Sequence, residues 1–223
     1  MALFFKIIIT IHIIAGFTSL ATGLGAIVTQ KGGKRHLQLG KIYFTGMTVV
    51  FVTALIASSY KLNIFLFMIA FLSYYSVFAG VRILKLKKLH KGQKATRIDW
   101  IAAGLNFTVN LIFIIVGIVF MTKGSNYFAY LSVGFGLLGC FISYRNVKPF
   151  IHPPTDKFHW WFSHLRNMMA GYIATCTAFG ITIANRLEID SPLPWILPTL
   201  IGVPLISYWK RTYKRKFQKP IAK

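Results

Sequence analysis

The chain has 223 residues, 55% of them hydrophobic and 13% charged, with a mean hydropathy of +0.59. That composition excludes an ordinary soluble domain. The formal charge of +22 would normally point to nucleic acid, but the cations stand in short blocks between apolar segments of about 20 residues, the length that crosses a bilayer, and no soluble nucleic-acid-binding module is recognisable.

The first apolar segment covers residues 3–28. It is longer than a signal-peptide core, and the block Lys31, Lys34, Arg35 and Lys41 behind it opposes translocation, so a retained membrane helix is expected. Six further segments follow at residues 42–60, 62–84, 100–121, 127–144, 163–185 and 192–209. The last contains Pro198 and Pro204, which remove backbone donors and are expected to kink it. The prediction is an all-α, seven-helix transmembrane bundle: one membrane domain over residues 1–209 and a basic tail at 210–223.

Orientation follows from the cations. Of the 26 Lys and Arg, only Lys6, Lys61, Lys123 and Arg186 fall on one side of the predicted spans, and the other 22 fall on the opposite side. The positive-inside rule then predicts the N-terminus outside, the C-terminus in the cytoplasm, and residence in the cytoplasmic membrane. The outer connections are too short for a receptor domain. The tail WKRTYKRKFQKPIAK is expected to anchor topology and attract anionic lipid, at roughly 1 kcal/mol per cation near the surface.

Seams between membrane helices are built from small and hydrogen-bonding residues. Span one carries such a seam at His12, Gly16, Ser19, Gly23 and Ala26. Span four carries Asp99, Ala103, Asn106, Asn110, Phe113 and Gly117; span five carries Ser132, Gly136, Gly139 and Ser143. In span six the candidates are His164, Met168, Gly171, Thr175, Ala178, Thr182 and Asn185. These four spans are expected to share a polar interior. His12 should lie about 13 Å below the outer surface, out of reach of His36, Asp99 and His164 at the other ends of their spans. Cys140 and Cys176 both lie in apolar segments, so no disulfide framework is indicated.

The sharpest cluster is His36, Asp99, Asp156, His159 and His164, with Arg82, Arg145 and Arg166 around it. Three chemistries fit. A divalent metal would use His36, His164, Asp156 and His159, although His159 and His164 miss the i, i+4 spacing of helical zinc motifs and the cations oppose a dication. Haem would use His36 and His164, with Met168 a lesser ligand; the first hairpin, with His12, Gly16, Gly23 and His36, is loosely similar to cytochrome b561, but spans three, four and five lack the histidines that pattern requires. A small anion or lipid headgroup would use Arg82, Arg145, Arg166 and protonatable His36 and His164, with Asp99 orienting one of them. Transport extends this reading, with His12, Asn106, Asn110 and Thr175 as deeper polar positions.

Each residue also has a purely structural explanation. Thr96 and Asp99 form a capping box for span four, His90 and His152 suit solvated loops, His159 with Trp160 and Trp161 suits an interfacial belt, and a structural or partner-binding protein remains open. Nucleotide-binding loops, hydrolase elbows and zinc-protease motifs are missing, so the balance leans away from an enzyme.

The block KGGKRHLQLGKIY with His36, Gly40 and Tyr43, the histidine and glycines of span one, and the run HLRNMMAGYIATCTAF of span six resemble a family of bacterial polytopic membrane proteins of unknown function. The resemblance extends over nearly the whole chain. It implies a multi-pass bundle and no particular reaction.

Overall fold

The computed structural model describes residues 2–60, 64–124, 127–191 and 193–218. Lys61, Lys219, Lys223 and the predicted span starts at 62 and 192 lie outside the described residues. Among those described there are seven α-helices and no strand: α1 (Ala2–Val28), α2 (Lys34–Tyr60), α3 (Ile64–Arg82), α4 (Arg97–Thr122), α5 (Tyr127–Ile151), α6 (His159–Arg186) and α7 (Leu193–Gln218). Six of them, α1 to α6, are long and apolar enough to cross a membrane. Helix α7 is not in that group, because its prolines and the cations from Lys210 onward dilute its apolar stretch.

Several helices are longer than their apolar cores predict. Helix α2 begins at Lys34 rather than residue 42, α5 continues past 144 to Ile151 with Pro149 in its last turn, and α6 starts at His159 rather than 163. Hydropathy marks where lipid begins, whereas backbone hydrogen bonding carries a helix on into the interface. The breaks have local causes: Gly32 takes a left-handed φ of 78° between α1 and α2, and Pro153 and Pro154 stop α5. Between α3 and α4 the chain makes two 3₁₀ turns, Ile83–Lys85 and Leu89–Lys91. Ile83, Leu86 and Leu89 are buried there against Phe150 and Trp160.

Helix α3 is the hub, packing on α2, α4, α5 and α6. Helices α1, α2, α3 and α6 form a four-membered ring in which α2 and α6 stand diagonally, and α4 and α5 form a hairpin against α3. Helix α7 runs antiparallel along α6. Pro194 lies by Gly180, Gly202 by Ile173, and Tyr213 packs at a tilt on Trp161 with ring centres 4.3 Å apart.

The α4 seam appears residue for residue: its buried positions are Asp99, Ala103, Asn106, Asn110, Phe113 and Gly117. Ser132, Gly136, Gly139 and Ser143 are the facing buried positions of α5. The expected interior common to spans one, four, five and six is not formed. The α4 and α5 seams close on each other, and α1 pairs with α2 and α6 instead. The α6 seam is also displaced, since Ala178, Thr182 and Asn185 are exposed. Ser163, Leu165, Asn167, Met169 and Gly171 are buried in alternation, which on a helix means two faces about 200° apart; α6 is covered from both sides by α3 and α7.

Candidate functional site

The C-terminal end of α3, the N-termini of α4 and α6 and the C-terminal end of α5 meet at one end of the bundle, and most of the candidate residues gather there. Thr96 caps α4, and Asp99 at the third helical position accepts the Thr96 backbone N–H at 2.9 Å and its hydroxyl at 2.7 Å. Arg82 donates from Nε to Asp99 Oδ1 at 2.7 Å and from Nη2 to Oδ2 at 3.0 Å, with a further bond to Thr96 Oγ1 at 2.8 Å. The Asp99 side chain is 2% exposed and that of Arg82 17%. Asp99 therefore does not orient a histidine as expected; its lone pairs are taken by its own N-cap and by Arg82.

Beside this pair a cavity of about 20 Å³, room for one water, is lined by Arg82, Asp99, Asn146, His159 and Ser163 among others. Asn167 donates to Asn146 Oδ1 at 2.8 Å, while Asn146 Nδ2 is buried without a partner. Arg166 donates from Nη2 to Ser163 Oγ at 3.3 Å, and Ser163 pairs with His159 Nε2 at 3.2 Å. The Nε of Arg166 is buried and unpartnered. Arg145 lies close enough to Arg166 for the two cations to repel, with its guanidinium 5.4 Å from the Phe141 ring. Among the described residues the only ion pair is Arg82–Asp99, so neither Arg145 nor Arg166 has a carboxylate.

On the other face of α3, His36 and His164 meet with ring centres 6.4 Å apart and planes at 81°. His36 Nδ1 bonds the carbonyl of Ala26 at 2.9 Å, and His164 Nδ1 that of Gly80 at 2.7 Å. Both carbonyls lie in the last turns of their helices, where such donors are welcome. Lys31 donates to the neighbouring carbonyls of Ala26 and Ile27 and sits 4.7 Å over the Trp209 ring. Burial lowers its pKa from the usual lysine value.

Comparison with protein-family models, with curated proteins and with solved structures finds no match.

The eight clustered candidates thus divide. Arg82 and Asp99 neutralise each other, Arg145 and Arg166 stand near each other as two cations, and His36 and His164 form a separate pair. The grouping of His36, His164, Asp156 and His159 around one metal is not formed: no three His, Cys, Asp or Glu gather among the described residues. Asp156 is exposed in the turn before α6, and its Oδ1 accepts the Phe158 N–H at 2.8 Å. Helix α6 starts at His159, three residues beyond Asp156, so Asp156 and His159 do not share a helical face.

The deeper polar residues are separated too. His12 bonds Thr53 Oγ1 on α2 at 2.9 Å. Asn106 donates to Ser143 Oγ at 2.8 Å and to the Gly139 carbonyl at 3.3 Å, and Asn110 donates back to the Asn106 carbonyl at 2.7 Å. Thr175 bonds the Gly171 carbonyl at 2.8 Å and approaches the Met47 sulfur at 3.4 Å. Asn146, Ser163 and Asn167 were not among the sequence candidates, although Ser163, Asn167 and Gly171 recur at the i, i+4 spacing of a polar seam.

Proposed function

We propose that the protein is a multi-pass protein of the cytoplasmic membrane, N-terminus outside and C-terminus in the cytoplasm, that binds a small anion or the headgroup of an anionic lipid at the mouth formed by Arg145 and Arg166. One observation carries the reading: two adjacent, half-buried guanidinium groups have no carboxylate among the described residues, and one of them keeps a buried N–H unused there. Removing a cation from water is costly unless it is paired. A planar guanidinium also suits the bidentate recognition of phosphate or carboxylate. The cavity beside Arg82 and Asp99 is one water in size, so the anion would sit outside it, bridging Arg145 and Arg166.

The 22-to-4 division of cations supports the orientation. Helix α7 is read as a seventh crossing because it accompanies α6 along its length. The reading stops at binding rather than transport, since His12 and the Asn106–Asn110 pair are engaged in separate helix–helix contacts.

Native mass spectrometry of the detergent-purified protein tests it, with short-chain phosphatidylglycerol and inorganic phosphate as probes. Retention of either by the wild type, lost in Arg166→Gln and kept in Lys214→Gln, is expected. Equal retention by Arg166→Gln would reduce the mouth to packing. Topology is checked separately: a reporter active only in the cytoplasm, fused after Lys223, should be active.

A further inference from the structure

The His36–His164 pair lies across α3 from the arginine mouth and has a chemistry of its own. Helices α2 and α6 stand diagonally in their four-helix ring and meet through side chains. Tyr43 faces Tyr172 at 6.2 Å, Thr175 reaches the Met47 sulfur, and the two imidazoles close the seam at its charged end. Each ring is held by a flanking helix, His36 by α1 through Ala26 and His164 by α3 through Gly80. A carbonyl only accepts, so Nδ1 carries the hydrogen in both rings. In the neutral imidazole this leaves Nε2 as a free lone pair, the arrangement of metal-ligating histidines. Neither Nε2 has a hydrogen-bond partner among the described residues.

Distance and donor count select the ion. With a metal–nitrogen bond of about 2.0 Å and about 1.1 Å from the nitrogen to the ring centre, two imidazoles on opposite sides of one ion have centres about 6.2 Å apart, and at a tetrahedral angle about 5 Å. The 6.4 Å separation leaves room for the in-line case with Nε2 turned to Nε2, and the 81° angle keeps the ring hydrogens apart. A tetrahedral zinc site needs more donors than the described residues bring together. A second positive charge would also be opposed by Lys31, close enough to His164 to act on it electrostatically. Imidazole is a copper ligand, and copper(I) is monovalent and accepts two nitrogen donors in line.

We propose that His36 and His164 bind one copper(I) ion between their Nε2 atoms. The test uses the full chain in detergent, made metal-free and titrated under reductant with copper(I) bicinchoninate. Uptake of one equivalent is expected, with X-ray absorption showing in-line nitrogen coordination. His36→Gln and His164→Gln keep a side-chain N–H for the Ala26 and Gly80 carbonyls, so circular dichroism and gel filtration should be unchanged while affinity falls by about 100-fold or more. Arg166→Gln should take up copper normally, which separates this site from the anion mouth. No uptake, equal uptake by the doubly substituted protein, or equally tight zinc binding at the same pair overturns the proposal. A Soret band abolished by His36→Gln also overturns it, in favour of haem iron.

Discussion

Removing Asp99 should cost more stability than any surface change in this bundle. Asp99→Ala deletes two bonds from Arg82 and two from Thr96. It also leaves the Arg82 cation with its side chain 17% exposed. Breaking a buried pair at one partner costs about 3–5 kcal/mol. Arg82 ends α3 and can extend toward water, which favours the lower bound of about 3 kcal/mol. Losing the capping interaction adds about 0.5–1 kcal/mol, for a total near 3.5–4 kcal/mol. Arg82→Met should cost about 3 kcal/mol, because it strands a carboxylate that is 2% exposed. The double variant Arg82→Met with Asp99→Leu strands neither charge, and should lose at least about 2 kcal/mol less than the two single losses together. Reversible unfolding in mixed micelles of rising dodecyl sulfate fraction measures all four corners of the cycle. Single losses below about 1 kcal/mol, or strict additivity, would show that the pair behaves as an exposed one and would refute the argument.

Other substitutions probe the packing. A Cβ on Gly139 would collide with the Asn110 side chain, whereas one on Gly16 has nothing within 4 Å; Gly139→Ala should destabilise by about 1–3 kcal/mol and Gly16→Ala by nothing measurable, in the same unfolding assay. Asn106→Ala removes the bonds to Ser143 and Gly139 and should cost about 1–2 kcal/mol, as interhelical hydrogen bonds do in membranes. Burial depresses the pKa of Lys31, so the folded chain binds fewer protons there than the unfolded chain between the two pKa values. Stability from this residue therefore rises with pH through that alkaline window. Melting curves of wild type and Lys31→Met should differ in slope over that range, and parallel curves would contradict the assignment.

The fold was legible where a helix is covered on one face. All six predicted seam positions of α4 are buried because α5, with α3 at the charged end, covers the same side. In α6 the predicted seam of His164, Met168 and Thr175 misses the buried Ser163 and Asn167, because a helix covered on two sides has no single buried stripe. The helix ends were underestimated at Lys34, Ile151 and His159 because hydropathy falls before hydrogen bonding stops. At the site, the residue types were readable but their partners were not. Nothing in the spacing shows that Asp99 belongs to Arg82, or that His36 reaches His164 across 128 positions of sequence; both depend on how α2, α4 and α6 surround α3.

The central place of α3 has a consequence for biogenesis. The face carrying Ser73, Val77 and Gly80 is completed by Gly171, Met168 and His164 of α6. About 100 residues separate the end of α3 from the end of α6, so at 5–20 residues per second that face waits roughly 5–20 s for its partner during synthesis. In that interval α3 can lean on the finished α1–α2 hairpin while the α4–α5 hairpin is threaded in beside it. A chain stopped before α6 would therefore emerge from the insertion machinery with its hub half-covered, and transiently exposed surface of that kind is prone to aggregation.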